Sequence, residues 1–345
     1  MLRVLVLCAR DWRHPLAAGM EHYTHEVFSR IAGQGHYVAW LCQNHGGLPF
    51  GRTRAQSIEF IDGIQVARLG SRMLYRPMVG LFFSRLSKPG EAVRQFDVIV
   101  DCVNGRPFPA GKYTATPVVP VIFNLASSIQ VPSDPPGPVV APSEEAFRQL
   151  RDVGIPKRCI IRVPFAPTSF ERSFEESEST RTRLVTFSRS SQPLGRALKR
   201  MRRNGFVPEV DSFGAGGGLH AGKNSGISDV SVALGQARVA YCGEGFEWQA
   251  LTLSALGIPC VCPHTAAGRE YVEHGKTGFL HRPRDAAHLA DLLETLLTDE
   301  LQYKRMARAA RDHANQHSWD RSASLLLAAL ENLCVVPMRE PLVPV

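Results

Sequence analysis

Apolar runs recur along the chain at the spacing of buried strands alternating with helices. RVLVLCA (3–9) is continuously apolar, as expected of a strand covered on both faces of a parallel sheet. A helix is predicted from Glu21 to Gly33, with Val27, Phe28 and Ile31 on one face, and Gly33 and Gly35 end it. YVAWLC (37–42) reads as a second strand, and further strands are predicted at 63–69, 96–102, 117–123 and 139–143. Residues 143–154 have the pattern of a helix, with Ser143 as N-cap, acidic residues in the first turn and Gly154 as the stop. The stretch 160–167 then leaves this array.

ERSFEESESTRT (171–182) is polar and poor in aliphatic residues, which marks a linker. After it the pattern restarts. Strands are predicted at 183–188, 208–214, 237–243 and 258–263, a helix at about 247–256, and three helices at 285–297, 299–315 and 318–333. Two successive βαβ arrays with a polar joint predict an α/β protein of two Rossmann-like domains facing a central cleft. The expected boundaries are a first domain over 1–170, a linker over 171–182 and a second domain over 183–316. A C-terminal helix over 317–334, turning back toward the first domain, and a proline-containing tail over 335–345 complete the chain. Ligands of such sheets bind beyond the carboxyl ends of the strands, so the loops after Cys8, Phe187 and Tyr241 are the places to look for chemistry.

Length and composition agree with two domains: 345 residues, 44% hydrophobic and 21% charged. No apolar run reaches the roughly 20 residues of a spanning helix, and the apolar stretch near the start is too short for a secretory signal. Eight scattered cysteines, mostly inside apolar runs, suit a reducing cytoplasm. Cys260 and Cys262 have no second pair at metal spacing, so no metal site is expected. The net charge of +8 is uneven: residues 1–170 hold 19 Lys and Arg against 12 Asp and Glu, and the rest is nearly balanced. A basic first half suits an anionic partner, either a phosphorylated acceptor or an acidic membrane surface at the inner face. Without interleaved aromatics the basic segments do not suggest nucleic acid.

Three segments carry candidate chemistry. In AAGMEHYTHE, Gly19 immediately precedes a helix and would let main-chain amides approach an anion. In GEGFEWQALTLSALGIPCV (243–261), Glu244 sits between two glycines, after a strand and before a helix, where a carboxylate suits sugar hydroxyls. In FSRSSQPLGRALKRMRRNG (187–205), Arg189 lies just past a strand, and its planar fork suits a diphosphate.

These segments, with VVAPSEEAFRQLRDVGIPKRCIIRVPFAP and EYVEHGKTGFL, resemble the family-4 retaining glycosyltransferases of GT-B fold, actinobacterial members in particular. The resemblance runs along nearly the whole chain. It implies transfer of a sugar from a nucleotide-diphosphate donor to an acceptor, with retention of configuration and no metal or other cofactor. By position, Gly19 would meet the donor diphosphate, Arg189 would neutralise it and Glu244 would bind the donor sugar, helped by the main-chain amides around Gly245 and Phe246. Three positions depart from the family pattern. Thr252 stands where a second glutamate usually holds the ribose, which would favour a deoxyribose donor. Leu194 stands where a lysine usually shares the diphosphate charge, with Arg196 nearby as a substitute. Asn124 stands where the acceptor side usually has a histidine. The departures raise the alternative of a catalytically impaired relative acting as partner or regulator of another glycosyltransferase. The glycine cluster FGAGGG (213–218) lacks the flanking order of a dinucleotide-binding fingerprint, so an oxidoreductase is not expected. The acceptor stays open between phosphorylated, lipid-linked and soluble natural-product molecules.

Overall fold

A computed structural model describes residues 1–14, 16–44, 58–71, 73–86, 95–102, 108–124, 137–168, 183–188, 192–213 and 230–335. The expected linker at 171–182, Arg189, residues 214–218 of the glycine cluster and tail residues 336–345 lie outside them. The chain divides into two compact units. One comprises Met1–His14, Met20–Pro164 and Asp320–Val345, the other Pro15–Gly19 and Phe165–Trp319.

The first unit is built on a six-stranded sheet: β1 (Arg3–Leu7), β2 (Tyr37–Cys42), β3 (Ile58–Ile61), β4 (Ile64–Arg68), β5 (Val98–Asp101) and β6 (Val118–Pro120), in the order β3-β4-β2-β1-β5-β6. Helices α1 (Gly19–Gly33) and α2 (Tyr75–Leu86) belong to this array. Every pairing is parallel except β3 with β4. The Asp62-Gly63 turn that joins this pair has positive φ at both residues, 50° and 78°, as a two-residue hairpin of matching twist requires. The sequence reading missed both this hairpin strand and α2.

Leu5, Leu7, Leu41, Val79, Phe83 and Ile99 form the core under the sheet. Strands β7 (Val139–Ala141) and β8 (Ile160–Arg162) pair separately, around helix α3 (Glu144–Asp152). The Ser143 hydroxyl accepts the Ala146 amide at 3.1 Å, the expected cap.

The second unit has a fully parallel five-stranded sheet, β10-β9-β11-β12-β13, formed by β9 (Arg183–Phe187), β10 (Val210–Phe213), β11 (Ala237–Cys242), β12 (Cys260–Pro263) and β13 (Gly278–His281). Its helices are α4 (Gln192–Arg203), α5 (Val230–Gln236), α6 (Gln249–Ala255), α7 (Ala266–Tyr271), α8 (Ala286–Thr298) and α9 (Glu300–Ala314). All six residues of β11 are buried, Arg238 included, so its largely apolar pattern reflects cover on both faces. The last helix, α10 (Trp319–Val335), falls with the first unit from Asp320 onward; Ser322 donates to the Pro164 carbonyl at 2.7 Å and Asp320 pairs with Arg30 at 2.9 Å.

Candidate functional site

In the second unit the strand order reverses between β9 and β11: the chain runs from β9 outward to β10, then crosses to β11 on the other side. Loops that leave the carboxyl ends of two such strands diverge and open a crevice. Phe187 and Cys242, the last residues of these strands, lie side by side in register, and the Gly243 amide donates to the Phe187 carbonyl at 2.8 Å. The segment after β11 therefore starts at the switch point. Gly243 has no room for a side chain there, because a Cβ would come within 2.5 Å of the Ser188 hydroxyl.

Residues 243–247 form a tight turn between β11 and α6. Glu244 is exposed at its tip, and Gly245 takes φ 83°, a conformation that only glycine adopts without strain. The Phe246 amide donates to the Gly243 carbonyl at 3.0 Å, closing the turn. Glu247 folds back under it, and its Oε2 accepts the Gly245 amide at 2.7 Å. Burial pushes the Glu247 carboxyl above its usual range, opposed by main-chain amides of the turn, while the nearby Glu244 charge pushes the same way as burial.

His281, at the end of β13, is buried near the same turn. Its Nδ1 is 2.8 Å from the Arg282 carbonyl, and among the described residues Nε2 has no hydrogen-bond partner. Burial holds its pKa below the ordinary histidine value, so with Nδ1 carrying the proton, Nε2 presents a lone pair.

Residues 224–313 match the model of the family described as Glycosyl transferases group 1. Over 98 residues the chain is 34% identical to the D-inositol 3-phosphate glycosyltransferase of Corynebacterium urealyticum, a stretch covering 28% of this chain and 23% of that relative. The chain thus spans about a quarter of the length of the curated relatives it matches. Among solved structures, sucrose-phosphate synthase from Thermosynechococcus elongatus is similar with a TM-score of 0.68 at 13% identity, covering 96% of this chain and 99% of its own. Anabaena HepE in complex with UDP and glucose follows with a TM-score of 0.65 at 15% identity, covering 96% of this chain and all of the other. At such identities the likeness establishes the fold, which is GT-B.

Within the residues that match this family model, the turn brings Glu244, Gly245 and Phe246 together. Thr252 lies on α6, 1% exposed, and its hydroxyl accepts the Thr168 amide at 3.1 Å, so this oxygen already has a structural partner. In the same unit Leu194 is buried in the core with Ala197, Met201, Val239 and Tyr241, and so offers no charge to a ligand, whereas Arg196 on the same helix is exposed. Gly19 falls with the second unit, and a Cβ there would come within 2.8 Å of the Trp248 indole. That glycine is thus required by close packing, whatever else it does. Asn124 is exposed in the first unit, four residues past the end of β6. Sequence reasoning overlooked Ser188, Glu247 and His281. An acidic residue three positions after Glu244 and just before a helix was the available signal for Glu247, but its inward direction depends on the turn.

Proposed function

We propose that this chain is a metal-independent, retaining glycosyltransferase that takes a sugar from a nucleotide-diphosphate donor. The observation that carries the reading is the Glu244 turn, placed at the strand-order switch of a glycosyltransferase group 1 domain. Glu244 accepts hydrogen bonds from donor-sugar hydroxyls. Arg189 and Arg196 offset the charge that grows on the departing nucleoside diphosphate, which lowers the barrier to breaking the glycosidic bond. Asn124 orients the acceptor by donating and accepting hydrogen bonds, and it does not titrate as a base. The test is incubation with UDP-, GDP- and dTDP-sugars, reading nucleotide release and product anomer. Glu244→Gln should lower kcat/KM by about 100-fold or more, the loss typical of a polar group aimed at the transition state. Absence of donor binding and of nucleotide release with every sugar nucleotide would overturn the reading. Preference for dTDP-sugars would support a deoxyribose donor at the Thr252 position.

A second reading, a catalytically impaired relative that regulates another glycosyltransferase, is favoured by the burial of Leu194 and the engaged hydroxyl of Thr252. Tight nucleotide binding together with turnover would exclude it.

For the acceptor side we propose peripheral contact with an anionic membrane. No helix among the described residues is long and apolar enough to cross one. Support comes from Met73, Leu74, Met78 and Leu81, exposed on and just before α2 beside the exposed Arg85. Co-sedimentation with phosphatidylserine vesicles should fall in Met78→Glu/Leu81→Glu. Equal binding by both proteins would remove this face from the proposal.

A further inference from the structure

We propose that Glu247 is a built-in occupant of the anion-binding turn, so that a donor phosphate binds by displacing this side chain from the Gly245 amide. The inference rests on reading the turn as part of the donor site, where the resemblance puts the amides around Gly245 and Phe246 to use. In the structure neither amide is available. Gly245 N–H donates to Glu247 Oε2 at 2.7 Å, and Phe246 N–H donates to the Gly243 carbonyl at 3.0 Å.

The first of these partners is an anion in the position where a ligand anion would sit. A main-chain carbonyl cannot leave its turn without unfolding it. The carboxylate is different, because it is carried by a side chain and can rotate away while the backbone stays in place. Among the described residues, Glu247 is compensated by main-chain amides of its own turn alone. It is 6% exposed, no ion pair joins it to a cation among the described residues, and the charge of Glu244 repels it. A diphosphate brought to the Gly245 amide would add a second like charge within a few ångströms. Both anions cannot hold the same donor, so binding requires Glu247 to swing out or take up a proton.

Two buried polar groups lie close in sequence to this carboxylate or border the same strand ends. Among the described residues, the fully buried side-chain amide of Gln249 has no hydrogen-bond partner for its nitrogen or its oxygen, and the buried Thr186 hydroxyl on β9 has none either. On this proposal a turn closed on its own carboxylate is the ligand-free half of a two-state arrangement.

The experiment is calorimetric titration of the full chain with UDP, for wild type, Glu247→Gly and Glu247→Gln, with a melting curve for each to verify folding. Removing the competing carboxylate should tighten UDP binding by about 10- to 100-fold in Glu247→Gly, the value of one hydrogen bond to a charged group. Glu247→Gln keeps the side-chain volume and an acceptor oxygen but loses the charge, and should fall between the other two. Both variants serve the test: if the glycine destabilises the turn, the glutamine still reports the charge. Tighter binding in either folded variant supports displacement. Binding that is unchanged or weaker in the variants while wild type binds UDP overturns the proposal and leaves the donor site standing. Failure of all three proteins to bind UDP, GDP or dTDP overturns both the proposal and the donor-site reading beneath it.

Discussion

Two buried carboxylates, one in each unit, are stabilised in opposite ways. In the first unit Asp11 is 1% exposed and its Oδ2 meets the Arg68 guanidinium at 2.6 Å; Arg68 in turn reaches Glu59 at 2.7 Å. The Arg13 amide and the Cys42 thiol also donate to Asp11, at 2.9 Å and 3.6 Å. In the second unit Glu247 has main-chain amides and, among the described residues, no cation. A guanidinium neutralises an acid with a fixed partner, and the pair pins the segment after β1 to β4. Amides stabilise an acid with partial charges that any other anion can use as well. The first arrangement is structural. The second is the one that our proposal makes exchangeable, since the partner it offers Gly245 is carried by a side chain.

The comparison breaks most severely at the ion pair. Asp11→Ala leaves Arg68 with Glu59 as its remaining acid and should cost about 1.5–3 kcal/mol of stability in urea unfolding, the value of a hydrogen bond to a charged group. Glu247→Gln, which removes no cation's partner and a charge that burial disfavours, should cost nothing at neutral pH. A loss of similar size in both would erase the distinction between the two acids.

A smaller effect of opposite sign is expected at Gln249. Replacing its unpartnered buried amide by leucine should raise stability by about 1–2 kcal/mol, read from the same denaturation curves, unless a bound nucleotide supplies the missing partners. Loss of UDP affinity in Gln249→Leu would assign that amide to the ligand.

The smallest differences lie in pH dependence, and the two kinds of group have opposite signs. The folded Glu247 pKa is raised, so the unfolded chain releases its proton first as pH rises. This group therefore contributes stability that is present below its unfolded pKa of about 4.3 and lost as pH rises through the folded value. Glu247→Gln should be more stable than wild type at pH 8 and equal to it near pH 4. His25, His281 and His313 have lowered folded values, burial being the first cause in each. The unfolded chain takes up their protons first, so melting temperature should fall as pH drops below about 6.5, the unfolded histidine value. A melting temperature that stays level from pH 7 to 5 would contradict the depressed values.

Much of the fold was legible because buried parallel strands need largely apolar runs, and those at 37–42 and 237–242 coincide with β2 and β11. Helix signals were equally direct at Ser143, where a hydroxyl must meet an amide of the first turn. Among the elements that escaped, α2 and β3 did so for identifiable reasons. Helix α2 contains Pro77 and Gly80, which read as breakers. Pro77 is tolerated in the first turn, and Gly80 packs against Tyr113, where a Cβ would come within 3.3 Å of its hydroxyl oxygen. Strand β3 has only four residues, with mixed exposure, and the Asp62-Gly63 turn was its one clear mark.

At the site, the sequence by itself determined which residues stand at the strand-to-helix turn: Glu244 between its glycines, with Phe246 after them. Strand and helix periodicity set that position locally, and a glycine with positive φ is needed wherever the chain must turn so sharply. Only the tertiary structure decided what each neighbour does. Leu194 went to the core and the Thr252 hydroxyl to the Thr168 amide, while the Glu247 carboxylate turned inward onto Gly245. Partner choice among polar groups depends on which segments folding brings within hydrogen-bond distance, and no local pattern of residues encodes that.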